Sequence, residues 1–366
     1  MAPFEADVYG HASGTHRQAR AACRALEDAR EQVAELLGAA PSEVVFTSGG
    51  TEADNLAVFG VLLAAAARRV GEQTVVVSSA VEHAAVLEPC RVAARRMRGV
   101  EHHAVGVDPH GSLDLRRLAE ALDPDVALVS VMLANNEVGT VQPLGEVVAL
   151  VRRLAPHAVV HTDAVQAAAW LDVAEQAAGV DLVSVSAHKL GGPKGAGALV
   201  VREGVDLEPL LVGGGQERER RAGTHHVAGA VGLATALGAV ASSRAEEAVR
   251  VGALRDRLAD GILAQVPSVL EAADRKAVLP GHCHLCFAGV DREELVVLLD
   301  EAGVCVSAGA ACASGALEPS HVLAAMGVRR SDAAGAIRFS LGHTTTPDDI
   351  ERALAVVPEA VGRLRG

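Results

Sequence analysis

The sequence predicts an α/β fold: a large domain on a mostly parallel sheet, followed by a smaller α+β unit. Three observations carry this expectation. Short β-branched runs alternate with helical patterns from about residue 42 to 245, which is the rhythm of a parallel sheet with crossover helices. A long Ala-rich stretch, roughly 226–262, then leads into a second region. Polar, glycine-rich clusters fall at the ends of the apolar runs, where ligands gather in open parallel sheets.

Taken in order, the runs EVVFTS (43–48), TVVVSSA (74–80), VALVSVML (126–133), AVVHTDA (158–164), DLVSVSA (181–187) and GALVV (197–201) read as strands. They are short, rich in valine and bounded by polar or glycine residues. PLGEVVALVRRLA (143–155) has helical spacing. The longest apolar run, LAVFGVLLAAAA (56–67), is too short to span a bilayer comfortably and reads as a buried helix. In the second region CHLCFAGV, REELVVLLDEAG, VCVSAG and AIRFSLG mark a small α+β unit. The expected division is an arm over 1–12, a large domain over 13–245 and a small domain over 246–366.

The chain has 366 residues, 50% hydrophobic but only 2% aromatic, so Ala, Val and Leu must fill its core. Its formal charge of −13 argues against nucleic acid as a default partner. MAPFEADVYG lacks the charged-then-apolar order of a leader; the expectation is a cytoplasmic protein with no membrane contact. Six cysteines in a chain this long are no disulfide framework. Cys23 and Cys90 fall in helical patterns as small buried hydrophobes, and Cys305 in VCVSAG reads as a strand residue. Cys283 and Cys286 form a C-x-x-C, but on a strand that spacing splits the thiols between opposite faces. No metal is expected.

Lysine is the informative residue. There are three, Lys189, Lys194 and Lys276, and two of them lie in SAHKLGGPKGAGAL (186–199). Arginine, which does most of the other basic work, stays protonated and cannot act as an amine nucleophile. Lys189, just after an apolar strand, is placed to form a Schiff base with an aldehyde cofactor, whereas Lys194 follows Pro193 as a turn residue. Upstream, HTDAVQ ends a strand on Asp163, which suits a pyridinium partner, although a helix cap would use the same residue. FTSGGTEADN sets Gly49, Gly50 and Thr51 between a strand and a helix, the arrangement of a phosphate cup at a helix start.

Together the motifs VFTSGGTEADNLAV, VEHAAVLEPC, NNEVGTVQPL, HTDAVQ, SAHKLGGPKGAGAL, GGGQERERRAGT, SAGAACASGALEPSHVL and IRFSLG resemble the cysteine desulfurases of the NifS/IscS-like group. These are class V aminotransferase-fold enzymes, and the likeness covers nearly the whole chain from about residue 8. The resemblance implies a pyridoxal-phosphate-dependent transferase of fold type I, aspartate aminotransferase-like. It implies pyridoxal 5′-phosphate as cofactor, Lys189 as the Schiff-base lysine and Asp163 as the pyridinium partner. It implies that His83 stacks on the cofactor ring and assists proton transfer. Gln166 and Asn136 would reach the ring oxygen or the substrate, and Gly50, Thr51, Ser186 and His188 would hold the phosphate. Thr224 would complete that cup across a homodimer interface, and Arg338 would pair with the substrate carboxylate. Cys312, in the small-residue loop SAGAACASGAL, would take sulfur from L-cysteine as a persulfide, leaving L-alanine, for delivery to an acceptor protein of unknown identity.

The sequence also departs from that group's pattern. Relatives open with a strand and turn of the kind YLDNAATTP, whereas here only Met1–Val8 precede YGHASGTH. Either the true start lies upstream or this branch has rebuilt that wall. Val212 stands where histidine is common, Glu219-Arg220 for Gly-Leu, Ala222 for proline and His343 for arginine. Two further readings stay open: a related lyase or aminotransferase, such as a selenocysteine lyase, and a non-catalytic binding subunit.

Overall fold

The computed structural model describes residues 1–68, 73–309 and 320–366. The chain forms two compact units: Met1–Val105, Leu115–Leu133 and Pro143–Ser243 make the first, and Gly106–Asp114, Ala134–Gln142 and Arg244–Gly366 the second. This differs from a sequential cut at 245/246. The segments 106–114 and 134–142 join the second unit because they bond to each other and to its chain. Gln142 receives the Leu113 N–H at 2.9 Å and donates to the Gly111 carbonyl at 2.8 Å. The Leu279 N–H then reaches the Gly139 carbonyl at 2.9 Å.

The first unit holds seven strands: β1 (Val44–Thr47), β2 (Thr74–Ser79), β3 (Val100–Val105), β4 (Val126–Ser130), β5 (Val159–Asp163), β6 (Leu182–Ser186) and β7 (Gly197–Val201). Their order is β1-β7-β6-β5-β4-β2-β3. Pairing from β6 through β5, β4 and β2 to β3 is parallel, while β7 runs antiparallel to both β1 and β6. Every position of β2, β4, β6 and β7 is buried, as expected for strands covered on both faces. The edge strand β3 is the exception. VEHHAV exposes Glu101, His103 and Ala104, and with no apolar run it gives no sequence signal.

Helix Gly50–Arg68 buries Ala53, Leu56, Ala57, Val61 and Leu62 in a cluster with Val76, Leu128, Leu182 and Leu199. Each such leucine contributes about 2 kcal/mol by leaving water. Helix Val227–Gln265 is apolar enough, by length and composition, to pass for a bilayer span. Its Ala228, Leu233, Ala234 and Leu237 are nevertheless buried inside the protein, and charges from Arg244 to Asp260 populate its second half.

The second unit carries β8 (Val269–Glu271), β9 (His282–Phe287) and β10 (Ala336–Ser340), an antiparallel sheet of order β10-β9-β8. Asp291 caps helix Arg292–Glu301 by accepting from the Glu293 N–H at 2.8 Å, and Thr346 with Asp349 forms a capping box for Pro347–Arg365. All six residues of β9 are buried, Cys283 and Cys286 included. VCVSAG is not a strand. Its one ladder contact is the bridge from Ser307 to Arg338, and Cys305 is exposed, with Sγ 3.8 Å from Asp300 Oδ1. Alternation without a partner strand is not enough. Cys90 is buried as expected, whereas Cys23 is half-buried.

Candidate active site

Most of the residues singled out above lie in the first unit, around the carboxyl ends of β5 and β6. Asp163 closes β5 and is 5% exposed. Its Oδ1 accepts the Val165 N–H at 2.8 Å. Burial pushes its pKa up, while that N–H and the positive charges of His83 and Lys189 pull the other way. The buried carboxylate is therefore held beside the His83 ring and within reach of the Lys189 charge.

His83 is the cap of helix Ala84–Arg96, with Nδ1 accepting the Ala85 N–H at 3.1 Å. Because Nδ1 is an acceptor, the neutral ring carries its proton on Nε2. A ring nitrogen of His83 and carboxylate oxygens of Asp163 and Asp54 lie within 4.8 Å of one another. Lys189 stands on the short turn Ala187–Leu190 after β6, with its residue exposed rather than enclosed. The turn ends in Gly191 at φ +76, a left-handed conformation that favours glycine. Lys194 is exposed in the turn before β7.

The phosphate-cup residues converge on the start of helix Gly50–Arg68. Gly50 is its first residue, and a Cβ there would lie 2.7 Å from Val165 Cγ2 and 3.6 Å from Ser186 Cβ. The backbone thus approaches two site loops at a distance only glycine permits. Ser186 is buried, and its hydroxyl is 2.8 Å from His188 Nδ1. Burial lowers the His188 pKa, with Lys189 and Lys194 adding to the effect. Thr51 is exposed at the same helix end. The Gln166 Oε1 is buried with no hydrogen-bond partner, an orphaned polar group of the kind that a ligand satisfies.

Thr224 lies elsewhere. It lines a cavity of about 110 Å³ with Thr47, Ser48, Arg221 and His225, which does not include Gly50, Thr51, Ser186 or His188. In the second unit Asn136 and Arg338 are brought together: Arg338 Nη1 donates to the Asn136 carbonyl oxygen at 2.6 Å, and Nε to Ser340 Oγ at 3.0 Å. The contact uses the Asn136 backbone, not its amide. Cys312 lies outside the described residues.

Sequence reasoning missed a polar layer beneath Asp163. His161 is fully buried, its Nδ1 2.8 Å from Ser130 Oγ and its Nε2 3.0 Å from Ser184 Oγ. Burial drops its pKa to about 3, so it is neutral. Asp54, 3.6 Å from His161 Nε2, is buried beside it, and Glu82 is buried as well. One signal was available for Asp54: it follows Gly50 by four residues, which puts it on the same helix face.

A mostly parallel seven-stranded sheet, an aspartate closing one strand, a lysine after the next and a glycine-opened helix define the pyridoxal-phosphate transferase architecture of fold type I. The profile of the family Aminotransferase class-V matches residues 1–353, and the chain belongs to that family. It is 48% identical to a cysteine desulfurase of Cereibacter sphaeroides, over all of this chain and 92% of that protein. It resembles the solved structure of a NifS-like protein, with 34% identity, a TM-score of 0.90 and coverage of 99% and 94%. A structure of SspA in complex with cysteine aligns at 31% identity and TM-score 0.78, covering 93% of this chain and 92% of that one.

The family's cofactor is pyridoxal 5′-phosphate, and the donor set fits it. A buried carboxylate beside His83 and Lys189 suits a ring nitrogen, the orphaned Gln166 Oε1 a ring substituent, and the helix start with Ser186 and His188 a phosphate.

Proposed function

We propose that this chain is a homodimeric cysteine desulfurase. It takes sulfur from L-cysteine onto Cys312 as a persulfide, leaves L-alanine, and passes the sulfur to an acceptor protein. The observation that carries this reading is the gathering of Asp163, His83 and Lys189 at the ends of β5 and β6 beside the helix that opens at Gly50. The cysteine desulfurase and the cysteine-bound structure among its relatives point to the same substrate.

When bound, the cofactor supplies an electron sink for bonds at the substrate α-carbon. Lys189 would hold its aldehyde carbon, and Asp163 would keep the ring nitrogen protonated. Ser186, His188 and the Gly50–Thr51 backbone hold the phosphate, which Thr224 of a second copy completes. His83, with its proton on Nε2, hands protons to and from the bound substrate. Arg338, steered by the Asn136 carbonyl, pairs with the substrate carboxylate. The Cys312 thiolate attacks the substrate sulfur, so an S–S bond forms as the C–S bond breaks. The electron pair stays with Cβ, which takes up a proton and departs in alanine. Atoms balance as cysteine plus thiol giving alanine plus persulfide.

The first test is alanine formation from L-cysteine by the cofactor-loaded protein with a thiol reductant. Alanine above the cofactor-only control is expected; none would remove the reading. Cys312→Ala is expected to keep cofactor absorbance while losing alanine formation by about a hundred-fold or more. Unchanged turnover would exclude Cys312 as the acceptor of sulfur. Arg338→Lys, which keeps the charge but loses the fork, is expected to raise KM about ten-fold with a smaller change in kcat; initial rates over a range of cysteine concentrations check it.

A further inference from the structure

Asp54 has no place in the scheme above, yet it is among the least accommodated side chains in the protein. It is 1% exposed, and its Oδ1 accepts no hydrogen bond. His161 Nε2 lies 3.6 Å from that oxygen, but this imidazole is neutral and supplies no counter-charge. The carboxylates of Asp163 and Glu82 are close enough to act on it, and the Ser184 hydroxyl stabilises its charge by a hydrogen bond. Asp163 differs in company: His83 and Lys189 both favour its charged form.

We infer that Asp54 is a positioning residue for the cofactor ring: it stays protonated as the neutral partner of Asp163, so that the pair presents one negative charge to the ring nitrogen. Two buried carboxyls within a few ångströms do not both ionise. Neighbours decide which keeps the proton: Asp163 Oδ1 accepts the Val165 N–H and feels the Lys189 charge, whereas Asp54 Oδ1 accepts no hydrogen bond. Burial and the Asp163 charge push the Asp54 pKa well above its ordinary value, in line with that allocation. The helix Gly50–Arg68 thus does two jobs one turn apart. Its first residue joins the phosphate cup, and Asp54 joins the polar layer of His161, Ser130 and Ser184 beneath Asp163. An ionised Asp54 would place a second anion beside the first; an apolar side chain would leave the Ser184 hydroxyl short of a partner.

The inference rests on the cofactor placement, not on the sulfur chemistry, and it is read without turnover. Difference infrared spectra of the holoenzyme against Asp54→Asn are expected to show a protonated-carboxyl band in the wild type that persists across neutral pH. Asp54→Asn, still neutral and still a donor, is expected to hold pyridoxal 5′-phosphate within about two-fold of wild type, whereas Asp54→Leu is expected to bind it about ten-fold more weakly and to displace the pH profile of its visible absorbance. No such band, a ten-fold loss in Asp54→Asn, or wild-type binding and profile in Asp54→Leu would each overturn it. If Asp54→Leu does not fold, the band and Asp54→Asn still decide. Normal cofactor binding with no alanine would instead count against the desulfurase reading alone.

Discussion

Lys189→Arg is expected to lower alanine formation from L-cysteine by about a thousand-fold or more, because a guanidinium does not deprotonate to serve as an amine nucleophile. The substitution separates two jobs of this side chain. Its positive charge favours the ionised form of Asp163 and lowers the pKa of His188, and arginine preserves that charge. Only the covalent hold on the cofactor aldehyde is removed. The variant should therefore still bind pyridoxal 5′-phosphate, but reversibly, losing it on dialysis and lacking the visible band of the lysine-linked cofactor. Lys194→Arg, exposed in the next turn, serves as the control and should keep activity. Retention of the lysine-linked band in Lys189→Arg would move the covalent role to another amine.

The candidate residues that the sequence points to share a local signature. Asp163 ends one apolar run and Ser186 and Lys189 end another, so a strand pattern followed by a polar residue announces both. Burial on both faces makes those central strands nearly continuous in valine and leucine, and the parallel sheet follows from them. What escaped is non-local or lacks period. The edge strand β3 mixes His and Glu with valine, and β8 has three residues. VCVS alternates like a strand but meets β10 at a single bridge. Asn136 and Arg338, 202 positions apart, belong to one unit because 134–142 bonds back to the C-terminal chain. Asp54 hides in an apolar helix, where one acid reads as a solvated position until a sheet is laid over it. Chemistry at strand ends is thus readable one residue at a time, whereas the layer supporting it is a product of packing.

The same limit conceals what holds the loop GGGQERERRAGT, and removing that support is expected to cost about 3–5 kcal/mol of stability. Arg30 and Glu217 lie 187 positions apart and are both buried, paired through Nη1–Oε2 at 2.7 Å and Nη2–Oε1 at 2.9 Å. Glu217 also receives the Phe46 N–H at 2.9 Å and lies 3.1 Å from His225 Nε2, while Arg30 stacks 4.7 Å over the Phe46 ring. This clamp works against strain, because Glu217, Arg218 and Glu219 have φ of +46, +57 and +65, a conformation costing about 1 kcal/mol or more for each side-chain-bearing residue. Glu217→Ala strands the Arg30 charge indoors and releases the strained run; a urea midpoint falling with little change in slope is the expected result. Glu217→Leu with Arg30→Met should recover much of the loss, since no lone charge remains. The pH dependence has a defined sign. Burial works to raise the Glu217 pKa, but the Arg30 hydrogen bond, the His225 hydrogen bond, the Arg30 charge and the Phe46 N–H outweigh it and hold it at about 2, below its ordinary value of 4.5. A group depressed in this way stabilises fully above its unfolded value, and here the contribution, on the order of 3 kcal/mol, fades as pH falls through that interval. Wild-type stability should drop between pH 4.5 and about 2, and the Glu217→Ala curve should be flatter there. Parallel curves for the two proteins would show that the pair carries no charge-dependent stability.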